Sequence, residues 1–254
     1  MSPPTLKVRE LGCRPYLETW EAMRTFTDRR GRDTPDELWL LEHPPVYTQG
    51  LAGKPEHLLD AGEIPVIQTD RGGQITYHGP GQLVAYPLLD LNRLGVGIRN
   101  LVATLEAITI DLLADFGVSA KRKEGAPGVF VDDAKIASIG MKVRRGCTFH
   151  GLAFNVSVEL SPFERINPCG FAGQPMARLV DLTGHRDVAE IGRRLAGRLA
   201  AAIALDWNIE ETHDENHPLA GRCSTQSTNS NLPIAPRRSN PMKPRQPKSG
   251  LKWS

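Results

Sequence analysis

The chain has 254 residues, an ordinary hydrophobic fraction of 40% and a formal net charge of +2, enough to bury a sizeable core in one large domain or two small ones. Seven basic residues and no acidic one lie from Arg222 onward; with 31 basic and 29 acidic residues overall, residues 1–221 stand at −5. The sequence pI of about 8.4 therefore belongs to the tail, and the body offers no electrostatic ground for nucleic-acid binding. Four cysteines (Cys13, Cys147, Cys169, Cys223) make no C-x-x-C pair, the start MSPPTLKVRELG has no apolar signal region, and no stretch approaches the roughly 18 apolar residues of a membrane span. The expectation is a soluble cytoplasmic protein with reduced thiols and no membrane partner.

In chain order, residues 16–29 place Leu17, Trp20, Met23 and Phe26 at helical spacing. LWLL (38–41) predicts a buried strand, stopped by His43, Pro44 and Pro45, and PVIQT (65–69) a second strand. Residues 71–91 open with a polar, glycine-rich half and close with a strand. Residues 98–116 form the clearest helix, with Ile98, Leu101, Leu105, Ile108, Leu112 and Phe116 as its apolar stripe and Gly117 as its stop. Residues 128–158 read as three strands with turns at Asp132-Asp133 and Arg145-Gly146. Asp187 and Glu190 resemble a capping box before a last helix over 188–205. From about 214 the composition turns to Pro, Ser, Asn and basic residues, which predicts disorder. The expected architecture is α+β, a single mixed-sheet domain over 1–213 followed by a tail over 214–254.

Three segments carry candidate chemistry. In the first, Arg71, Gly72, Gly73, Gln74, Ile75, Thr76, Tyr77 and His78 combine close backbone approach with polar side chains. No Gly-Lys-Ser/Thr closes it and no G-x-G-x-x-G runs into a helix, so it is neither a P-loop nor a dinucleotide fingerprint; a glycine-rich hairpin is the plain alternative. In the second, Cys169 stands between Pro168 and Gly170, a presentation that suits an exposed nucleophile or an ordinary loop cysteine. In the third, Lys135 opens AKIASIG (134–140); in a regular strand it shares a face with Ala137, Ile139 and Met141, which disfavours its charge unless it snorkels to water. His78 and His150 are candidate bases for Cys169. Cys147 and His150 make only a lone C-x-x-H, too little for a metal site.

Together LEHPPVYTQG (41–50), RGGQITYHGPGQLVAYPLLDL (71–91), GVFVDDAKIASIGMKVRRGCTFHGLAFNV (128–156) and INPCGF (166–171) resemble, in order, the lipoyl(octanoyl) transferase family, across most of residues 9–210. The resemblance implies a fold related to the biotin and lipoate protein ligases. It implies Cys169 as the acyl-thioester nucleophile and Lys135 as its dyad partner. It places substrate contacts on Arg71 to His78, on Ser138, Ile139 and Gly140, and on Gly151, Leu152 and Ala153. It implies an octanoyl-acyl carrier protein as donor, and as acceptors the lipoyl domains of 2-oxoacid dehydrogenase complexes and the glycine cleavage H protein, with no cofactor and no metal. An ATP-dependent lipoate or biotin ligase, a Cys-His thioesterase and a non-catalytic acyl-carrier binding module are the competing readings. Lys121, Arg122, Lys123, Lys142, Arg144 and Arg145 are a candidate basic surface for an acidic carrier.

Overall fold

A computed structural model describes residues 5–168 and 173–210, all within one structural unit. Cys169, Cys223 and the expected boundary at 213/214 lie outside the described residues.

Strand β1 (Thr5–Cys13) leads through helix α1 (Tyr16–Arg29) into β2 (Asp36–Glu42), and β1 and β2 run parallel. Parallel neighbours need a crossover, and α1 supplies it. The buried side of α1 is Tyr16, Thr19, Ala22, Met23 and Thr27, while Leu17 is 47% exposed. The stripe expected from Leu17 is therefore turned by one residue, bringing Tyr16 inward.

A small sheet follows, from β3 (Val46–Gln49), β4 (Val66–Gln68) and β5 (Ile75–His78), in the order β4-β3-β5. The polar, glycine-rich half of 71–91 thus contains a strand that its composition hides. After it come β6 (Gln82–Leu88), a short helix α2 (Leu91–Leu94) and the long helix α3 (Ile98–Ala114). Three antiparallel strands, β7 (Gly128–Val131), β8 (Ala134–Arg144) and β9 (Cys147–Asn155), come next. Their turns sit where expected, with Asp132, Arg145 and Gly146 all at positive φ. The chain continues through α4 (Leu179–Thr183) and α5 (Val188–Ala202) to β10 (Asp206–Glu210). Asp187 Oδ1 caps α5 by accepting from Glu190 N at 2.9 Å. The helix expected to reach 205 ends at Ala202, because Ala204 takes a left-handed turn (φ 55) and 206–210 pairs parallel to β1.

The large sheet has the order β10-β1-β2-β6-β9-β8-β7 and is mixed. Helices α3 and α5 cover one face through Leu101, Leu105, Leu112, Leu195 and Leu199. Helix α1 covers the other through Ala22 and Met23, against Trp39, Val84, Tyr86 and Phe149. The small sheet closes over a third cluster, built on Tyr47, Tyr77, Phe163 and Ile166. A cavity lies where this small sheet meets the β8–β9 end of the large one.

Candidate active site

A cavity of about 230 Å³ is lined by all three segments that the sequence singles out. One wall is the β8–β9 pair. Ser138 faces Ala153, Ile139 faces Leu152 and Gly140 faces Gly151, and all six line the cavity. Small residues there have a packing reason. A Cβ on Gly140 would stand 2.9 Å from Gly72 O, and one on Gly151 would stand 2.1 Å from Ala85 O. The absence of a side chain at 140 thus admits the 71–73 loop.

That loop and β5 make the opposite wall, through Arg71, Gly72, Gly73, Gln74, Ile75, Thr76 and His78. The guanidinium of Arg71 is turned back into the fold: Nε donates to Thr48 Oγ1 at 3.1 Å and Nη1 to Gly72 O at 2.9 Å. Gly72 N donates to Met141 O at 3.1 Å, stitching the loop to the outer edge of β8. Gln74 Oε1 is buried on this wall with no hydrogen-bond partner among the described residues, an acceptor available to an N–H of a bound substrate. Tyr77 does not line the cavity. Its ring packs on Tyr47 and Phe163 at 5.6 and 5.4 Å between centroids.

Lys135 is 2% exposed and lines the cavity, so it does not snorkel. Its expected face needs correction. Val129 pairs with Ala137 and Phe130 with Lys135, a bulge that inserts one residue into β8. Consecutive partners on β7 point to opposite sides, so Lys135 and Ala137 do too; Lys135 joins the side of Ser138 instead. The lysine stem crosses Gly128, whose φ is +136 and where a Cβ would stand 2.6 Å from Lys135 Cε and 2.2 Å from Ala137 O. Nζ lies 5.4 Å from the Phe130 ring centroid. Lys135 N donates to Pro175 O (2.8 Å) and Lys135 O accepts from Ala177 N (3.0 Å). Pro168 lines the same cavity.

The two histidines proposed as bases are both engaged. His78 Nδ1 donates to the Gln82 Oε1 carbonyl at 2.7 Å, and Nε2 lies 3.3 Å from Thr48 Oγ1. Burial, then the nearby His43 and Arg71, hold its pKa well below the ordinary imidazole value. His150 Nε2 donates to the Asp70 carboxylate at 3.0 Å, and Nδ1 faces Tyr16 OH at 3.5 Å. Burial lowers its pKa despite Asp70, so it rests neutral. His43 is wholly buried, with Nδ1 donating to Arg14 O (2.6 Å) and Nε2 accepting from Tyr86 OH (2.9 Å); burial lowers it to about 4.

Sequence reasoning did not single out Tyr16, Val84, Tyr86, Ile98, Val102 or Pro127, which also line the cavity. Each reads as ordinary core in its own segment, and only tertiary packing assigns it here. Among the described residues no group of three or more His, Cys, Asp or Glu side chains is placed to hold a metal, and no helix is long and apolar enough to cross a membrane. Much of the basic surface is matched internally: Arg144 pairs with Asp28 (2.7 Å), Arg122 with Glu106 (3.4 Å) and Lys123 with Asp133 (3.0 Å).

Residues 15–200 match the family model of the lipoyl protein ligase A/B catalytic domain. An octanoyltransferase of Pseudomonas entomophila is 60% identical over 194 residues, 76% of this chain and 90% of that one. One of Pseudomonas syringae pv. syringae is 58% identical over 213 residues, 84% and 98% of the two chains. One of Shewanella amazonensis is 57% identical over 195 residues, 77% and 90%. Among solved structures, lipoate-protein ligase A bound with ATP superposes with a TM-score of 0.67 at 14% identity, covering 86% of this chain and 92% of that one. A bipartite lipoate protein ligase from Thermoplasma acidophilum gives 0.68 at 16%, covering 85% and 90%. The structural likeness carries the fold alone, and the much higher sequence identity groups this chain with the octanoyltransferases and gives the ligase reading less support.

Proposed function

We propose how this chain, which belongs to the lipoyl protein ligase A/B catalytic-domain family and with the octanoyltransferases transfers octanoyl groups in protein lipoylation, divides that reaction between Cys169 and Lys135. The observation that supports the division is the setting of Lys135. It is buried at the cavity wall, Pro168 lines the same cavity, and 175–177 is hydrogen-bonded along its backbone. Consecutive Cα atoms are about 3.8 Å apart, so the chain on both sides of Cys169 is tied to the place where Lys135 stands.

In the first step the Cys169 thiol gives its proton to Lys135 Nζ, and the thiolate attacks the thioester carbonyl of the donor. The new C–S bond forms, the donor thiolate leaves and Lys135 returns the proton to it. In the second step the ε-amine of an acceptor lysine attacks the acyl-cysteine. The amide C–N bond forms, Cys169 leaves as thiolate, and the surplus amine proton passes to Lys135. Thioester exchange costs little free energy, and the stable amide draws the sequence forward without nucleotide activation. With Gly72 N–H engaged by Met141 O, the Gly73 N–H or backbone N–H groups near Cys169 hold the carbonyl oxygen as it gains charge, and the apolar cavity residues take the acyl chain.

The donor is an octanoyl-acyl carrier protein, and the acceptors are lipoyl domains of 2-oxoacid dehydrogenase complexes and the glycine cleavage H protein. Incubation with an octanoyl thioester donor and a lipoyl domain in ATP-free buffer tests this reading. Octanoylated lipoyl domain is the expected product. Free octanoate alone supports a thioesterase instead, a strict requirement for ATP supports a ligase, and binding without any product supports a carrier-binding module.

A further inference from the structure

Asp70 stands immediately before the 71–73 loop, and two donors from distant parts of the chain converge on its Oδ1. Trp20 Nε1 donates from α1 at 2.9 Å and His150 Nε2 from β9 at 3.0 Å. The His150 hydrogen bond is the main reason that the Asp70 pKa lies below the ordinary carboxylate value.

His150 reaches Asp70 from an unusual backbone. Its φ is +59, in the middle of a strand whose register is unbroken, and the residue is 1% exposed. A bulky side chain in the left-handed region is costly and persists only where the surroundings hold it there. Here those surroundings are the Asp70 carboxylate on one ring nitrogen and the Tyr16 hydroxyl on the other. A carboxylate only accepts, so Nε2 carries the proton and Nδ1 accepts from Tyr16. In that arrangement the nitrogen without a proton, Nδ1, faces the Tyr16 hydroxyl at 3.5 Å.

Leu51 N and Ala52 N hold the loop from behind, donating to Arg71 O (3.0 Å) and Gly73 O (3.1 Å), and a further tether ends on the same rung as His150. Gly72 N donates to Met141 O, and Met141 is the β8 partner of His150. The loop is therefore docked to one rung of the sheet at two points, a backbone bond on β8 and a side-chain bond on β9.

We propose that His150 and Asp70 are positioning residues for acyl transfer: their hydrogen bond fixes the 71–73 loop against the β8–β9 floor at the height that admits the octanoyl thioester. The inference rests on the reading that this cavity receives the acyl donor. It assigns to His150 a part separate from the Cys169–Lys135 proton traffic. Loss of the bond removes the β9 attachment and leaves the loop held by Met141 O on β8 and by Leu51 N and Ala52 N behind it, so its wall shifts relative to β9, which weakens capture of the donor more than it slows the chemistry once the donor is held.

The test uses the full chain with Asp70→Ala, His150→Leu and His150→Gln, and the double variant Asp70→Ala/His150→Leu; alanine is used at 70 because an asparagine Oδ1 would still accept from both donors. The readouts are the KM for an octanoyl thioester donor, kcat, the covalent acyl content by intact mass, and the thermal midpoint. Asp70→Ala and His150→Leu are expected to raise KM about tenfold, with kcat within about threefold of wild type and one acyl group still loaded per chain. His150→Gln, which keeps an N–H of similar reach, recovers most of the KM. The double variant is no worse than the worse single one, because both remove one bond. Trp20→Phe, which removes the second donor to Asp70 and keeps a ring beside His150, raises KM less, in the same direction.

Unchanged KM in Asp70→Ala overturns the proposal, even where the thermal midpoint falls, as do additive effects in the double variant. Should the His150 variants fail to fold, Asp70→Ala and Trp20→Phe decide alone. A wild-type chain that loads no acyl group on Cys169 refutes the proposed dyad instead; a KM shift in Asp70→Ala would still stand.

Discussion

Lys135 and His150 sit on neighbouring strands, each where strand regularity breaks, and the two breaks are of different kinds. At Lys135 an extra residue is inserted in β8, and the side chain is rotated onto the face of Ser138. At His150 the pairing with Met141 continues unbroken, and the irregularity is the left-handed backbone of one residue. The first delivers an amine into the cavity and is sustained by local means, chiefly Gly128 beneath the lysine stem. The second delivers an imidazole to a carboxylate 80 residues earlier in the chain and is sustained by tertiary contacts. In the proposed division, one region moves protons and the other holds the wall that the substrate meets.

The comparison is sharpened most by substitution at the proton-moving end. Cys169→Ala should abolish both transfer and the covalent adduct. Lys135→Ala should slow acylation by roughly 10²–10⁴-fold, the usual range for loss of a general acid–base. Lys135→Arg separates two roles there: it keeps a positive charge and cannot give up its proton at working pH. Single-turnover acylation nearly as slow as alanine marks a proton shuttle, and a rate near wild type marks a merely electrostatic neighbour.

Gly128→Ala strikes the same end through its support. The added Cβ meets Lys135 Cε and the Ala137 carbonyl in a backbone region hostile to L side chains, so a loss on the order of 2 kcal/mol is expected, together with slower acylation. Denaturant titration and single-turnover kinetics check the two halves. A variant with full stability and full rate would remove Gly128 from the account.

Acid should reach the histidine end first. In the unfolded chain His43 takes a proton near pH 6.5, whereas in the folded chain burial delays this to about 4. Between those values the unfolded chain binds more protons, so stability falls as pH drops, by about 1.4 kcal/mol per unit for this residue alone. His78 and His150 shift in the same direction. Asp70, whose pKa is depressed, contributes stability above the unfolded carboxylate value and loses it only as pH falls through its lower folded value. Urea midpoints at pH 7, 6 and 5 should decline in order; equal midpoints would contradict the buried neutral histidines.

The smallest effect belongs to the surface. Charge reversal at both Arg144 and Arg145 should weaken carrier binding a few-fold at low salt and less at high salt. Arg144 is already paired with Asp28, which limits the expected change. Carrier affinity that ignores both the reversal and the salt would exclude this patch.

How much of this was legible in the sequence follows the same division. The helix over 98–114, the hairpins at Asp132 and Arg145 and the segments lining the cavity show in periodicity, turn residues and local motifs, because their causes lie within a few residues. The bulge that turns Lys135 away from Ala137 does not show, since AKIASIG alternates acceptably without it. Strands β5 and β10 are hidden too: one is embedded among glycines, and the other is so short that it reads as the frayed end of α5. Asp70, Trp20 and Tyr16 carry no local mark, because their partners lie 50 to 134 residues away. Cys169, the residue on which the family motif places the reaction, is outside the described residues, so its role rests on the motif and on the chain that flanks it.

The central claim is that the acyl group passes through a covalent bond to Cys169 under the control of Lys135. The most direct measurement is intact mass after rapid mixing of the chain with an octanoyl thioester donor and no acceptor. One octanoyl group per chain is predicted in wild type, mapped to the peptide containing Cys169, slow to appear in Lys135→Ala, absent in Cys169→Ala and discharged when a lipoyl domain is added. Undiminished transfer to the lipoyl domain by Cys169→Ala, or an adduct that a lipoyl domain does not discharge, would contradict it.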